Sequence, residues 1–189
     1  MRLVVGLGNP GAQYARTRHN VGFRIVQALA AAEHVEAWRS KFNARVAQVP
    51  SLDAVLAMPL TYMNDSGAAV QPLAAFYKMT PADLLIVCDD FNLPFARLRM
   101  RRGGSEGGNN GLKDITNALG TTDYPRLRFG IGRNGMDAIG FVLGVFTGDE
   151  EKLLPEAIER AVAGVRTFCL HGSDAAIELV NSNGGDAVP

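Results

Sequence analysis

Three histidines, two cysteines and a scatter of asparagines are the groups through which this 189-residue chain could do chemistry. His19 alone among the histidines has polar company, with Arg16, Arg18 and Asn20 around it. An imidazole titrates near neutral pH and can take a proton from water. A carboxylate accepting from one ring nitrogen would hold its tautomer and stabilise the imidazolium. Asp89-Asp90 closes an apolar run, and Asn9 closes another, so the two could share one edge of a sheet. The doublet could hold a metal, but no third acidic ligand stands near it in sequence. Asn64, Asn92, Asn109 and Asn110 supply further amides in loops. An amide can donate to a carbonyl or oxyanion and accept from an N–H. The residues therefore point to water attacking an ester or amide, with neither metal nor covalent nucleophile.

Two glycine motifs compete with that reading. Gly6-Leu7-Gly8-Asn9-Pro10-Gly11 fits the dinucleotide fingerprint G-x-G-x-x-G. That fingerprint needs a helix opening inside the loop, whereas the helical pattern here begins near Val21. Gly103-Gly104-Ser105-Glu106-Gly107 fits G-x-S-x-G. A nucleophile elbow follows a buried apolar strand, but this one follows Arg97 to Arg102, and no histidine comes after it until His171.

The elements that must position these groups read as alternating strands and helices. Leu3 to Leu7 is an apolar strand, followed by a glycine- and arginine-rich loop to His19 and a helix from Val21 to Ala32. Val46 to Val49 and Ala54 to Met58 are strands around a four-residue turn. A helix from about Ser66 to Tyr77 precedes a Thr80-Pro81 cap and the strand Leu84 to Cys88, with Asp89 to Pro94 as a loop at its end. Arg97 to Arg101 and Arg126 to Ile131 alternate as half-buried strands would, with a glycine-rich loop and the helix Leu112 to Leu119 between them. Thr147-Gly148-Asp149-Glu150 is a capping box before a long helix that Gly172 ends, and Ser173 caps a last helix to Asn181. The expectation is one catalytic α/β domain over 1–182, a mixed and mostly parallel sheet flanked by helices, with a flexible tail at 183–189.

Composition agrees. Hydrophobic residues at 47% and charged residues at 20% exclude disorder and coiled coil. Cys88 and Cys169 lie too far apart for a C-x-x-C, which suggests a reducing compartment. The longest apolar stretch, Ile139 to Phe146, has eight residues, far short of the roughly twenty a membrane span needs. A cytoplasmic protein is expected. Nineteen basic and nineteen acidic residues give zero net charge, but the charges are segregated. Residues 1–133 hold 16 basic and 10 acidic side chains, whereas 134–189 hold 3 and 9.

Five stretches carry a specific resemblance: V-V-G-L-G-N-P-G-A-Q-Y-A-R-T-R-H-N-V-G at 4–22, P-L-T-Y-M-N-D-S-G at 59–67, D-D-F-N-L-P at 89–94, G-G-S-E-G-G-N-N-G-L-K-D-I at 103–115 and R-L-R-F-G-I-G-R at 126–133. In that order and spacing the chain resembles a bacterial-type peptidyl-tRNA hydrolase over nearly its whole length. The resemblance implies the peptidyl-tRNA hydrolase (phosphorylase/hydrolase-like) fold. It also implies cleavage of the ester between a peptide and the 3′-terminal ribose of tRNA, by a monomer without cofactor or metal. His19 would match the catalytic base, Asp89 its carboxylate, and Asn9 and Asn64 the amides that position substrate and water. Asn110 would match the contact to the tRNA 3′ end or peptide, and Tyr14 and Met63 the lining positions. Arg99, Arg101 and Arg128 would match basic residues that clamp tRNA phosphate. The chain departs from the family at Glu106, Asn109 and Asn92, where many members carry histidines or a second acid. A non-catalytic RNA-binding protein on the same fold is the rival reading.

Overall fold

The computed structural model describes residues 1–133 and 138–182. Seven strands form one sheet: β1 (Arg2–Gly6), β2 (Arg39–Lys41), β3 (Ala44–Val49), β4 (Ala54–Pro59), β5 (Leu84–Asp90), β6 (Leu98–Arg101) and β7 (Arg126–Gly130). Their order is β2-β3-β4-β1-β5-β7-β6. The four central strands β4, β1, β5 and β7 are parallel, and β2, β3 and β6 run antiparallel to their neighbours. Helices α1 (Val21–Ala32), α2 (Gly67–Phe76), α3 (Asn110–Leu119), α4 (Ala138–Val142) and α5 (Gly148–Ser182) complete the described chain. The expected mixed, mostly parallel sheet is present; the tail 183–189 lies outside the described residues.

Strands covered on both faces read as continuous apolar runs, and successive side chains then serve opposite cores. On β5, Leu85 and Val87 join the core under α1 and α5, whereas Leu84, Ile86 and Cys88 join the core with α2 and α3. The same alternation divides Leu3 and Val5 from Val4 on β1. Two glycines let α1 lie directly on the sheet. A Cβ on Gly6 would stand 2.3 Å from the Gly22 carbonyl oxygen, and one on Gly22 would stand 2.4 Å from that of Val87. The glycines of the fingerprint-like motif thus serve close packing of loop and helix, and two short 3-10 turns (Ala12–Tyr14 and Arg18–Asn20) fill the space before α1.

Three local readings change. The acidic doublet belongs to β5 as its last two residues, both buried, and is not in the following loop. Residues 126–130 do not alternate between core and solvent, because Arg126 and Arg128 are as buried as Leu127 and Phe129. β2 is a three-residue, largely polar edge strand with no periodicity to announce it. The capping box is present, with the Thr147 N–H donating to Glu150 Oε2 at 2.7 Å. Gly172, at φ 83°, breaks α5 where the sequence placed its end.

Candidate active site

The period of two along β5 separates the doublet. Asp89 falls on the α1 side of the sheet and Asp90 on the other. His19 sits in the 3-10 turn Arg18–Asn20 that leads into α1, which brings its Nδ1 to 2.9 Å from Asp89 Oδ1. A carboxylate only accepts, so Nδ1 carries the proton and Nε2 is the basic nitrogen. Burial pulls the His19 pKa down, but the charge and hydrogen bond of Asp89 outweigh it and hold it above the usual 6.5. The turn is fastened from the far side by Arg18. Its guanidinium donates to the Val145 carbonyl at 2.6 Å and Glu150 Oε2 at 2.7 Å, with Phe141 beneath it.

Asn109 is the residue that site reasoning undervalued. It caps α3 by accepting from the Leu112 N–H at 3.1 Å, and its Nδ2 donates to Asp89 Oδ1 at 3.0 Å. The sequence placed Asn109 only as a loop amide, and neither the cap nor its reach back to β5 was read from it. His19, Asp89, Phe91, Gly107, Gly108, Asn109, Asn110 and Ile139 border an open cavity. Asn110 is exposed at the first turn of α3 and shares that cavity with His19.

Asn9 is buried in the loop that follows β1. Its Oδ1 accepts the Met63 N–H at 2.8 Å, which fixes the 3-10 turn Met63–Asp65 carrying exposed Asn64. Asn20 grips the Asn9 backbone twice, accepting from its N–H and donating to its carbonyl, both at 2.9 Å. Tyr14 stacks edge-on against exposed Tyr62, with centroids 6.4 Å apart. Neither Asn64 nor Tyr14 borders the cavity, and neither hydrogen-bonds His19 or Asp89.

Four arginines occupy the other face of β6 and β7, with Arg99 paired to Arg128 and Arg101 to Arg126 across the strands. Like charges directly opposed are unfavourable, so each needs a counterpart. Asp90 Oδ2 takes Arg128 at 3.1 Å and Arg99 at 3.4 Å. Arg128 also donates to the Ser105 carbonyl at 2.5 Å, and Arg126 to those of Gly104 and Thr122 at 2.8 and 2.7 Å. Arg128, expected with Arg99 and Arg101 at the phosphate clamp, is thus buried and held by Asp90 and the glycine-rich loop. Exposed Arg101 and half-buried Arg99 present charge to solvent above it.

Two other candidates fall away. Ser105 follows the cationic β6 and is exposed, with no recorded hydrogen bond to a histidine. Burial pushes the Cys88 thiol up to about 12, which keeps it a neutral core residue. Among the described residues no three of His, Cys, Asp and Glu gather as a metal-ligand group.

The sequence profile of the peptidyl-tRNA hydrolase family matches residues 3–187. The chain belongs to that family. A peptidyl-tRNA hydrolase of Chloroflexus aurantiacus is 47% identical over 186 residues, covering 96% of this chain and 99% of that one. One of Desulforamulus reducens is 43% identical over 183 residues, covering 96% and 89%. The crystal structure of peptidyl-tRNA hydrolase from Acinetobacter baumannii superposes with a TM-score of 0.90 at 34% identity, covering 96% of this chain and 95% of that one. The glycine motif at 6–11 thus serves loop and helix packing and is not a nucleotide fingerprint.

Proposed function

We propose that this member of the family hydrolyses the ester joining a peptide to the 3′-terminal ribose of tRNA, with His19 activating the attacking water. The observation that carries the mechanism is the 2.9 Å contact of His19 Nδ1 with Asp89 beside the cavity. Nε2 takes a proton from water as the oxygen adds to the ester carbonyl. Asp89 stabilises the imidazolium that forms. The intermediate then expels the ribose 3′-oxygen, which takes the proton back from His19. Asn9, Asn64 and Asn110 supply amide donors and acceptors around the ester and the first peptide bond, and Tyr14 and Met63 line their surroundings. Asn109 holds Asp89 in place.

An enzyme for every peptidyl-tRNA cannot read peptide side chains; it reads backbone groups, as amides do. Aminoacyl-tRNA lacks the first peptide carbonyl, and a site built to bond that group binds it poorly. Arg99 and Arg101 contact tRNA phosphate, while Arg128 underlies them and ties Asp90 to the loop. No helix among the described residues is long and apolar enough to cross a membrane. The protein works as a cytoplasmic monomer without metal or cofactor.

The test is release of N-acetyl-amino acid from tRNA by pure protein, beside the corresponding aminoacyl-tRNA. The blocked substrate is cleaved and the free one spared. Tight tRNA binding with no turnover would overturn the reading in favour of an RNA-binding protein.

A further inference from the structure

His19 stands in the middle of a three-residue turn whose other two side chains reach different parts of the fold. A 3-10 turn has three residues per revolution, so Arg18, His19 and Asn20 project in directions roughly 120° apart. Asn20 is bound to the backbone of Asn9, and His19 to Asp89. Arg18 goes to the junction of α4 and α5, and only 6% of it is exposed. Its main-chain N–H donates to the Gly144 carbonyl at 2.9 Å, and Thr17 and Val145 form an antiparallel bridge beside it. The guanidinium adds its bonds to the Val145 carbonyl and Glu150, and lies 4.4 Å from the Phe141 ring centre and 5.4 Å from that of Phe146. Glu150 is itself held, since its Oε2 also accepts the Thr147 N–H. Helix α4, whose Ala138, Ile139 and Val142 border the same cavity as His19, runs into this junction.

We propose that Arg18 is a positioning residue for the hydrolysis, setting the place of the His19 ring through the turn they share, an inference that rests on the hydrolase reading above. Among the described residues the His19 ring makes one hydrogen bond, that to Asp89. One contact leaves a ring free to swing about it. The aim of Nε2 into the cavity is therefore set by the main chain that carries the ring, and that main chain is fixed by the residues on either side. Arg18 does not border the cavity, so its effect on the reaction passes through His19. Arginine suits the task. Its planar fork donates to a carbonyl and a carboxylate at once while its face rests on aromatic rings, whereas a lysine ammonium is a point donor. The geometry at stake is narrow, because a misplacement of about 1 Å in a reacting group costs about 10²-fold in rate.

The experiment measures kcat on N-acetyl-aminoacyl-tRNA, the thermal midpoint and the NMR titration of the His19 ring. It compares the native chain with Arg18→Lys, Arg18→Met and the double variant Arg18→Met/Glu150→Gln. Arg18→Met alone leaves the Glu150 carboxylate without its cation and lowers the thermal midpoint. The double variant strands no charge, keeps a glutamine able to close the α5 cap, and recovers most of that loss. Its kcat nevertheless stays about 10²-fold below the native value, as in Arg18→Met, and Arg18→Lys falls about tenfold. A ring loosened from Asp89 loses the influences that raise its pKa, so the His19 titration moves down in all three variants. Loss of a nearby positive charge by itself would move it up, so the downward direction reports displacement. Recovery of kcat together with the thermal midpoint in the double variant would reduce Arg18 to a structural role and overturn the proposal. A low kcat with the native His19 titration would overturn it too, by placing the effect elsewhere than on His19, while the hydrolase reading stood. Failure of the native chain to cleave the substrate would remove that reading and the role of Arg18 with it.

Discussion

His19 works as a base only while its ring is neutral, and Asp89 opposes that state while orienting it. The folded pKa lies above 6.5, so kcat/KM should rise with pH through that raised value. Asp89→Asn removes the raising influence and leaves burial, which moves the inflection below 6.5. It should also lower kcat by about 10²–10⁴-fold, the usual contribution of a positioned base. A profile whose inflection stays put would separate Asp89 from His19. The stability consequence has the opposite pH window. A raised histidine pKa adds stability below about 6.5, lost as pH climbs through the folded value. Asp89→Asn should therefore depress the melting midpoint more at pH 5.5 than at pH 8.5. His19→Ala should abolish turnover and lower the midpoint more at pH 5.5 than at pH 8.5, and full activity in that variant would end the mechanism. His19 and Asp89 were legible as chemistry from their types and neighbours. Their pairing came only with the family resemblance, since it depends on a 3-10 turn and on two residues of β5 that look like loop.

Strands and helices here are positioned by contacts too tight for side chains. Gly22→Ala would put a Cβ 2.4 Å from the Val87 carbonyl, so α1 must shift and carry the His19 turn with it. The expected loss is about 1–3 kcal/mol in chemical denaturation, with kcat falling alongside. An unchanged denaturation midpoint would show that helix and sheet are looser than this geometry. The β3–β4 pair, α1, β5 and the break at Gly172 were all readable from periodicity and punctuation. The misreading of β7 has a clear origin. Arginine at every second position is the pattern of a half-exposed strand. In the fold, loop carbonyls and Asp90 replace water around Arg126 and Arg128, and nothing local in the sequence records where those partners come from.

Across the molecule, three acids of the C-terminal part pair with N-terminal arginines. Glu150 pairs with Arg18, Glu151 with Arg24 and Asp174 with Arg102. Exposed Arg101 has no carboxylate partner among the described residues, and half-buried Arg99 stands near it on β6. Replacing either by alanine should weaken tRNA binding and flatten the plot of log K against log salt by roughly one unit. Arg128→Leu should behave differently. It strips a partner from buried Asp90 and should cost about 3–5 kcal/mol of stability. If Arg128→Leu instead kept full stability and changed only the salt slope, it would be a phosphate ligand after all. Charge counting showed the segregation of sign along the chain, but which arginines remain unneutralised is a matter of tertiary pairing.

The grip of Arg126 and Arg128 on the glycine-rich loop has a further consequence. Both reach main-chain oxygens, those of Gly104, Ser105 and Glu106. Every amino acid offers the same oxygen, so the loop's course does not depend on which side chains stand at 105 and 106. Gly107 is different, because any Cβ there would meet the Arg128 guanidinium at 2.5 Å. The segment thus separates into an invariant spine and interchangeable decorations. Glu106 can replace a histidine there without the loop, or the Asn109 cap at its end, losing its place.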